Sequence, residues 1–288
     1  MMWARLLAPL CLVVCLLLPV STQAFDFSQL GDALGIDPAV TKRINQGAKV
    51  VSALIPISDE EERILGRDVA SRVVGRFGLD KNLKQTYYLN LIGTAIAQRS
   101  DRPNLPYRFA ILATNDVNAY SCPGGYIFVT RGALNMVHDE AELAAVLAHE
   151  IAHITERHII KALQQSKLMQ VSGEVAADAF KQGGALFQQM SDFATDALFK
   201  GLSKTDEYGA DQKGIEYLDR LGYDYPAMFS VLKELEQRRK QGMTKVLAKT
   251  HPSPSARIRH LKQAESGMKL DAPTGIRLKA RFDKNKKA

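Results

Sequence analysis

His149-Glu150-Ile151-Ala152-His153 sets two imidazoles four residues apart, with a carboxylate beside the first. On a helix, residues i and i+4 lie one above the other, so both rings can reach a single Zn2+ ion. Glu150 sits ~100° around that helix from His149, placed to hold the attacking water rather than the metal. This is the chemistry of a zinc-dependent hydrolase. The flanking residues predict the helix it needs. Asp139 and Glu142 read as a cap and its third-position partner, and Leu143, Val146, Leu147 and Ile151 form a helical apolar stripe.

A catalytic zinc site takes a third protein ligand and keeps a fourth position open. A His-x-x-Gly-x-x-His continuation of the motif needs a glycine at 156 and a histidine at 159, where the chain has Glu156 and Ile159. His158 misses by one residue and is expected to point away from the His149/His153 face. Glu207, in Asp206-Glu207-Tyr208-Gly209-Ala210-Asp211, is the best candidate. Glu207 and Asp211 are i,i+4, so one carboxylate can bind metal while the other orients a ligand histidine. A solvated acidic helix start remains the alternative, and other carboxylates nearby compete for the role.

These residues need a scaffold. Ser58-Asp59-Glu60-Glu61 reads as a capping box opening a helix to about Arg76, and a second helix is expected over Leu83–Arg99. Tyr107–Ala113 and Tyr126–Thr130 are rich in β-branched and aromatic residues and predict neighbouring strands of a small sheet. From Asp139 onward the chain reads as helical, with a break at Gly183-Gly184, helices near Thr205–Leu221 and Pro226–Gln241, and a cap-and-start at Ser253-Pro254. Arg257, one turn beyond that cap, is either a brace for the site or a surface arginine. Ile276, Leu278, Ala280 and Phe282 alternate with basic residues, which fits a docked strand or a disordered basic end equally.

The chain has 288 residues, 46% hydrophobic and 24% charged, which excludes wholesale disorder and collagen-like architecture. Its one long apolar run, Leu6–Val20, follows a short basic start and precedes Ser21-Thr22-Gln23-Ala24. This reads as a cleaved signal peptide over residues 1–24 and a periplasmic product, with an N-terminal membrane anchor as the alternative. Cys11 and Cys15 leave with it. Cys122 is then the sole cysteine, read as a packed thiol rather than a thiolate blocking the zinc. Net charge is +7, of which +5 lies beyond residue 266, with no nucleic-acid motif beside it. Nucleic acid is therefore not expected as a partner, and the tail is a candidate for peripheral membrane contact. The expected organisation is a helical lead-in over 25–56, a zinc protease domain over 57–266 and a basic tail over 267–288.

The chain resembles peptidase family M48. The resemblance runs in order through Asn118-Ala119-Tyr120-Ser121-Cys122-Pro123-Gly124-Gly125, Val129-Thr130-Arg131-Gly132, the motif at 149–153, Glu207-x-x-Ala210-Asp211 and Thr250-His251-Pro252-Ser253. It covers about Ile57 to Glu265. It implies a mostly helical, zincin-like α+β fold with a small sheet beside the motif helix, and one zinc per chain held by His149, His153 and Glu207. It further implies Glu150 as the catalytic base and Asp211 as the residue orienting a ligand. His251 is implied to face the site, stabilising the oxyanion or capping the zinc at rest. Asn118, Ala119, Pro123, Gly124 and Gly125 are implied to form the sheet edge that receives substrate. The membrane spans and helical repeats that some members carry are absent.

The function expected is zinc-dependent endoproteolysis in the bacterial envelope. Its substrates are expected to be misfolded or unassembled envelope and outer-membrane proteins, with the outer-membrane assembly machinery as a candidate partner. An envelope chaperone or assembly factor with a latent protease site is the alternative.

Overall fold

Ser58 opens helix α1 (Asp59–Phe77) as the capping box predicts: its side chain accepts from the Glu61 N–H, and the Glu61 carboxylate accepts from the Ser58 N–H at 2.7 Å. The computed structural model describes residues 57–166, 173–242, 251–270 and 275–286, so the expected signal peptide and the 25–56 lead-in lie outside the described residues. Helix α2 (Leu83–Gln98) follows, capped by Asn82. Three strands come next: β1 (Arg108–Leu112), β2 (Ala119–Cys122) and β3 (Tyr126–Thr130). The sheet order is β1-β3-β2, with β1 parallel and β2 antiparallel to β3. The two predicted strands are neighbours as expected. The four-residue β2 lies in the stretch read as a polar connection, and it forms the edge.

The remaining elements are helical: α3 (Arg131–Met136), α4 (Glu140–Thr155), α5 (His158–Gln165), α6 (Gly173–Gln182), α7 (Ala185–Lys200), α8 (Lys204–Arg220), α9 (Ala227–Lys240), α10 (Pro254–Glu265) and α11 (Lys279–Lys286). The fold is α+β and mostly helical. Among the described residues, no helix is long and apolar enough to cross a membrane.

Helix α4 carries the motif and lies at the centre, buried from Glu140 to Ile154 except at Val146. Helix α8 lies directly on it. A Cβ on Gly214 would come 2.7 Å from Met228 Cε and 3.3 Å from the His149 backbone nitrogen, so glycine here leaves room for the close approach of the two helices. One core cluster joins α4 to α2, the sheet, α8 and α9. A second joins α1, α5 and α7 across the other side of the sheet, through Leu65, Phe128, Ile160 and Met190.

The C-terminal segment is neither an extended strand nor a disordered end. Ile276 makes a single bridge to Tyr223, and α11 follows, with Phe282 buried in the core. Its arginines are engaged within the molecule. Arg277 pairs with Asp139, Glu142 and Asp224 at 2.7, 3.2 and 2.6 Å, and Arg281 pairs with the fully buried Glu140. Two of the seven basic residues beyond position 266 thus neutralise acids around the start of α4.

Candidate active site

Asp139 caps α4, its carboxylate accepting from the Glu142 N–H at 2.9 Å, which fixes the phase of the helix and the direction of its histidines. His149 and His153 bring their Nε2 atoms to 3.1 Å from each other. Glu207 enters from α8, its carboxylate 3.7 Å from His149 Nε2 and 3.5 Å from His153 Nε2. Tetrahedral ligands at about 2.0–2.1 Å from zinc stand about 3.4 Å apart, so this donor set fits the ion. His251 approaches from the start of α10, its Nδ1 2.6 Å from Glu207 Oε2. One donor atom each from His149, Glu207 and His251 lies within 4.8 Å of the others.

Each candidate ligand is contacted by a further residue. With His149 Nε2 toward the metal position, its Nδ1–H donates to Asp211 Oδ1 at 3.1 Å. Asp211 is in turn gripped by Arg257, Nε to Oδ2 at 2.8 Å, with both side chains buried. Arg257 is therefore the brace and not the surface residue. Burial alone would raise the Asp211 carboxyl, but Arg257 and His149 bring it down to about 2. Burial would likewise raise Glu207, and His251, His153 and His149 carry it well below the usual carboxylate range. Burial, reinforced by His149, keeps His153 neutral. A neutral imidazole is the form that binds metal.

His158 departs from the expectation. Arg157 adopts a left-handed conformation (φ 56°) between α4 and α5, which turns His158 back toward the site. Its Nδ1 lies 2.8 Å from His153 Nδ1, and its Nε2 lies 3.7 Å from Asp206 Oδ1. Asp206 is the capping-box acid at the start of α8, one residue before Glu207. A chain of contacts thus runs from the start of α8 through His158 to the back of His153. Continuing the stripe of Leu147, Ile151 and Ile154 reaches position 158 and signals its burial, but on the face away from His149 and His153.

Glu150 is buried on the floor of a cleft, whose two halves, open to solvent and about 490 and 340 Å3 with that solvent included, both contact Asn118, Ala119, Glu150 and His251. Asn118 and Ala119 are therefore beside the catalytic groups. The Asn118 N–H donates to Thr130 Oγ1, and its carbonyl accepts from the Thr130 N–H. Alternation along the antiparallel pair then turns the main-chain groups of Ala119 and Ser121 toward the open edge. Pro123, Gly124 and Gly125 form a buried turn against α1 instead of an open backbone. The Gly124 N–H donates to Glu62 Oε1 at 3.0 Å, and a Cβ on Gly66 would strike the Pro123 carbonyl. Their residue types signal close approach: α1 approaches Gly124, and the backbone of Pro106 and Tyr107 approaches Gly125. Cys122 is fully buried. Burial, and secondarily the Glu150 charge, push its thiol up, so it stays protonated.

A helix-borne His-Glu-x-x-His pair, a carboxylate from a second helix and an acid beside an open strand edge define a metal-dependent endopeptidase. The peptidase family M48 model matches residues 83–265, and the chain belongs to that family. It is 26% identical over 219 residues to the beta-barrel assembly-enhancing protease of Escherichia coli K12, covering 72% of this chain and 44% of that protein. It is 24% identical to the metalloprotease YcaL of the same organism, covering 86% and 95% respectively. Identity to the mitochondrial metalloendopeptidase OMA1 of Schizosaccharomyces pombe is 27%, covering 72% and 62%. The chain thus spans less than half the length of the beta-barrel assembly-enhancing proteases it matches.

Proposed function

We propose that this chain is a zinc endopeptidase of the bacterial envelope, exported by residues 1–24 and acting on unfolded or unassembled envelope proteins. The observation that carries the reading is the convergence of His149, His153 and Glu207 beside Glu150, on the floor of a cleft bordered by the edge of β2. Zinc held there supplies Lewis acidity toward water and the scissile carbonyl. Glu150 takes the proton of the attacking water and returns it to the leaving amine. Asp211 and Arg257 fix the His149 ring, and His158 fixes the His153 ring. An extended client adds to β2 through the outward groups of Ala119 and Ser121, which selects segments that are already unfolded. Relatives named for β-barrel assembly support outer-membrane proteins as clients and the assembly machinery as the setting.

The purified protein should bind one zinc, losing it on His149→Ala, His153→Ala or Glu207→Ala. Glu150→Gln should keep zinc, lose cleavage of unfolded protein, and trap envelope clients. Full metal occupancy and activity in Glu207→Ala refutes the ligand assignment. A second reading, a client-holding factor with a latent site, is favoured by the 2.6 Å contact of His251 with Glu207, where a fourth ligand closes the site. Client holding that persists in Glu150→Gln, with no cleavage by the unaltered protein, selects it.

A further inference from the structure

Helix α2 buries one face in the core and leaves an apolar stripe on the other. Leu83, Tyr87 and Leu91 are 77%, 67% and 53% exposed, and Leu79, just before the helix, is 49% exposed. Spacings of four residues place the three helical side chains on one face. Among the described residues, the other large apolar side chains this exposed are Val175 and Ile276. Single exposed apolar residues are ordinary, but a run along one helix face marks a contact surface.

The charge of this face is one-sided. Helix α2 contains no acidic residue. Lys84 shares the face of the stripe through its i+3 and i+7 spacing to Tyr87 and Leu91, while Lys81 precedes the helix and Arg99 ends it. All three are exposed, and none of their side chains forms an ion pair among the described residues. The neighbouring acid, Asp80, is already taken by Arg131 at 2.6 Å.

We propose that this stripe docks the protein on the surface of an anionic phospholipid bilayer. Leu83, Tyr87 and Leu91 enter the headgroup layer, and Lys81 and Lys84 meet lipid phosphates. A helix with leucines and an aromatic on one face and lysine at the rim lies in the interface plane, its apolar face about 5–10 Å deep. Side chains exposed this far project outward instead of lining a hollow, and a lipid layer has the depth to receive them. A second copy stacked through the same face brings another helix without acids, which answers none of the cations. Position agrees with docking. The Asn90 amide closes the outer edge of β1, donating to the Phe109 carbonyl at 2.7 Å and accepting from its N–H at 3.3 Å. Helix α2 therefore sits at the β1 end of the sheet and the cleft at the β2 end, so a docked molecule keeps its strand edge free. The inference concerns where the molecule sits, and it stands apart from what the site cuts.

The test is co-flotation of the whole protein with vesicles of phosphatidylcholine mixed with phosphatidylglycerol, and with vesicles of phosphatidylcholine alone. Binding should favour the anionic vesicles and weaken as salt is raised. Leu83→Gln/Tyr87→Gln/Leu91→Gln should lower the partition about tenfold or more. Lys81→Gln/Lys84→Gln should lower it about fivefold for each lysine and flatten the salt dependence. In Trp3→Phe/Tyr87→Trp the chain has one indole, on the stripe, and its emission should shift to the blue with anionic vesicles. Absence of binding, equal binding by the triple glutamine variant, or an unmoved emission from bound protein overturns the proposal. So does a dimer that the triple variant dissolves without any vesicle binding, which assigns the stripe to a second copy. The melting temperature of each variant should match the unaltered chain, since the replaced side chains are exposed; if the triple variant melts lower, the indole emission decides.

Discussion

Replacing Arg257 by methionine removes the guanidinium while nearly keeping the volume, and it strikes at the electrostatics beneath the metal ligands. Asp211 and Glu207 are each 1% exposed, and Arg257 is the cation between them, at 2.8 Å from the first and 3.8 Å from the second. Breaking a buried pair of this kind costs about 3–5 kcal/mol, against about 5–15 kcal/mol for a whole domain. An independent figure comes from Asp211, whose pKa falls from 3.8 to about 2. At about 1.4 kcal/mol per unit that is about 2.5 kcal/mol, net of the burial that opposes it. Urea unfolding of the metal-free protein at pH 7 should therefore show Arg257→Met less stable by about 3 kcal/mol. The Asp211→Asn/Arg257→Met double variant should recover part of the loss, because Asp211 no longer carries an uncompensated charge, while Glu207 keeps its histidine neighbours. The pH dependence has a definite sign. The Asp211 pKa is lower in the folded chain, so its contribution is complete above about pH 4 and is lost as pH falls toward about 2. The margin of wild type over Asp211→Asn should shrink across that window. A loss under about 1 kcal/mol in Arg257→Met, or a margin that stays flat from pH 5 to pH 2.5, refutes the reasoning.

His158→Phe keeps the ring but removes the acceptor behind His153, so zinc affinity measured against a competing chelator should fall ~10–100-fold, with partial recovery in His158→Gln; unchanged affinity makes His158 a packing residue only. His251→Ala should raise basal cleavage of an unfolded protein, because the contact with Glu207 puts the imidazole among the ligands. A fall in turnover of about a hundredfold would instead assign it to the oxyanion. Arg281→Ala leaves Glu140 buried with only the hydroxyls of Tyr88 and Tyr223 as donors, and thermal melting should show a loss of about 1–2 kcal/mol. An unchanged melting temperature would mean the tyrosines suffice.

What was legible in the sequence follows from what each signal depends on. The helices over 59–77, 83–98, 204–220 and 254–265 were readable because caps and stripes are local: Ser58, Ser203 and Ser253 each accept from the N–H three residues on. The motif pair was readable because i,i+4 geometry needs only a helix. The packing of Pro123–Gly125 was not, because a glycine permits close approach without saying what approaches; here α1 meets Gly124, and Pro106 and Tyr107 meet Gly125. His158 was misjudged because continuing α4 in phase ignores the left-handed Arg157, a conformation with no glycine to announce it. Arg257 stayed ambiguous because its burial depends on α10 lying against α8, a tertiary fact. The alternation at 276–282 suggested a strand from period two alone. The segment instead forms a helix, with Phe282 anchored in the core and Arg281 drawn to Glu140.

The first turn of the motif helix is finished from far away. The Arg277 carbonyl accepts from the N–H groups of Glu140 and Ala141 at 3.1 and 3.3 Å, and Arg281 meets Glu140 across a separation of 141 residues. Helix α4 can form its own hydrogen-bond ladder early, but these capping bonds wait on closure of a very long loop. Closing so long a loop from the unfolded chain adds to the ordering cost of these contacts. During synthesis, a chain emerged only to residue 275 holds both motif histidines and Glu207 yet lacks the clamp that fixes the start of their helix. The last dozen described residues therefore complete the first turn of the helix that carries the motif.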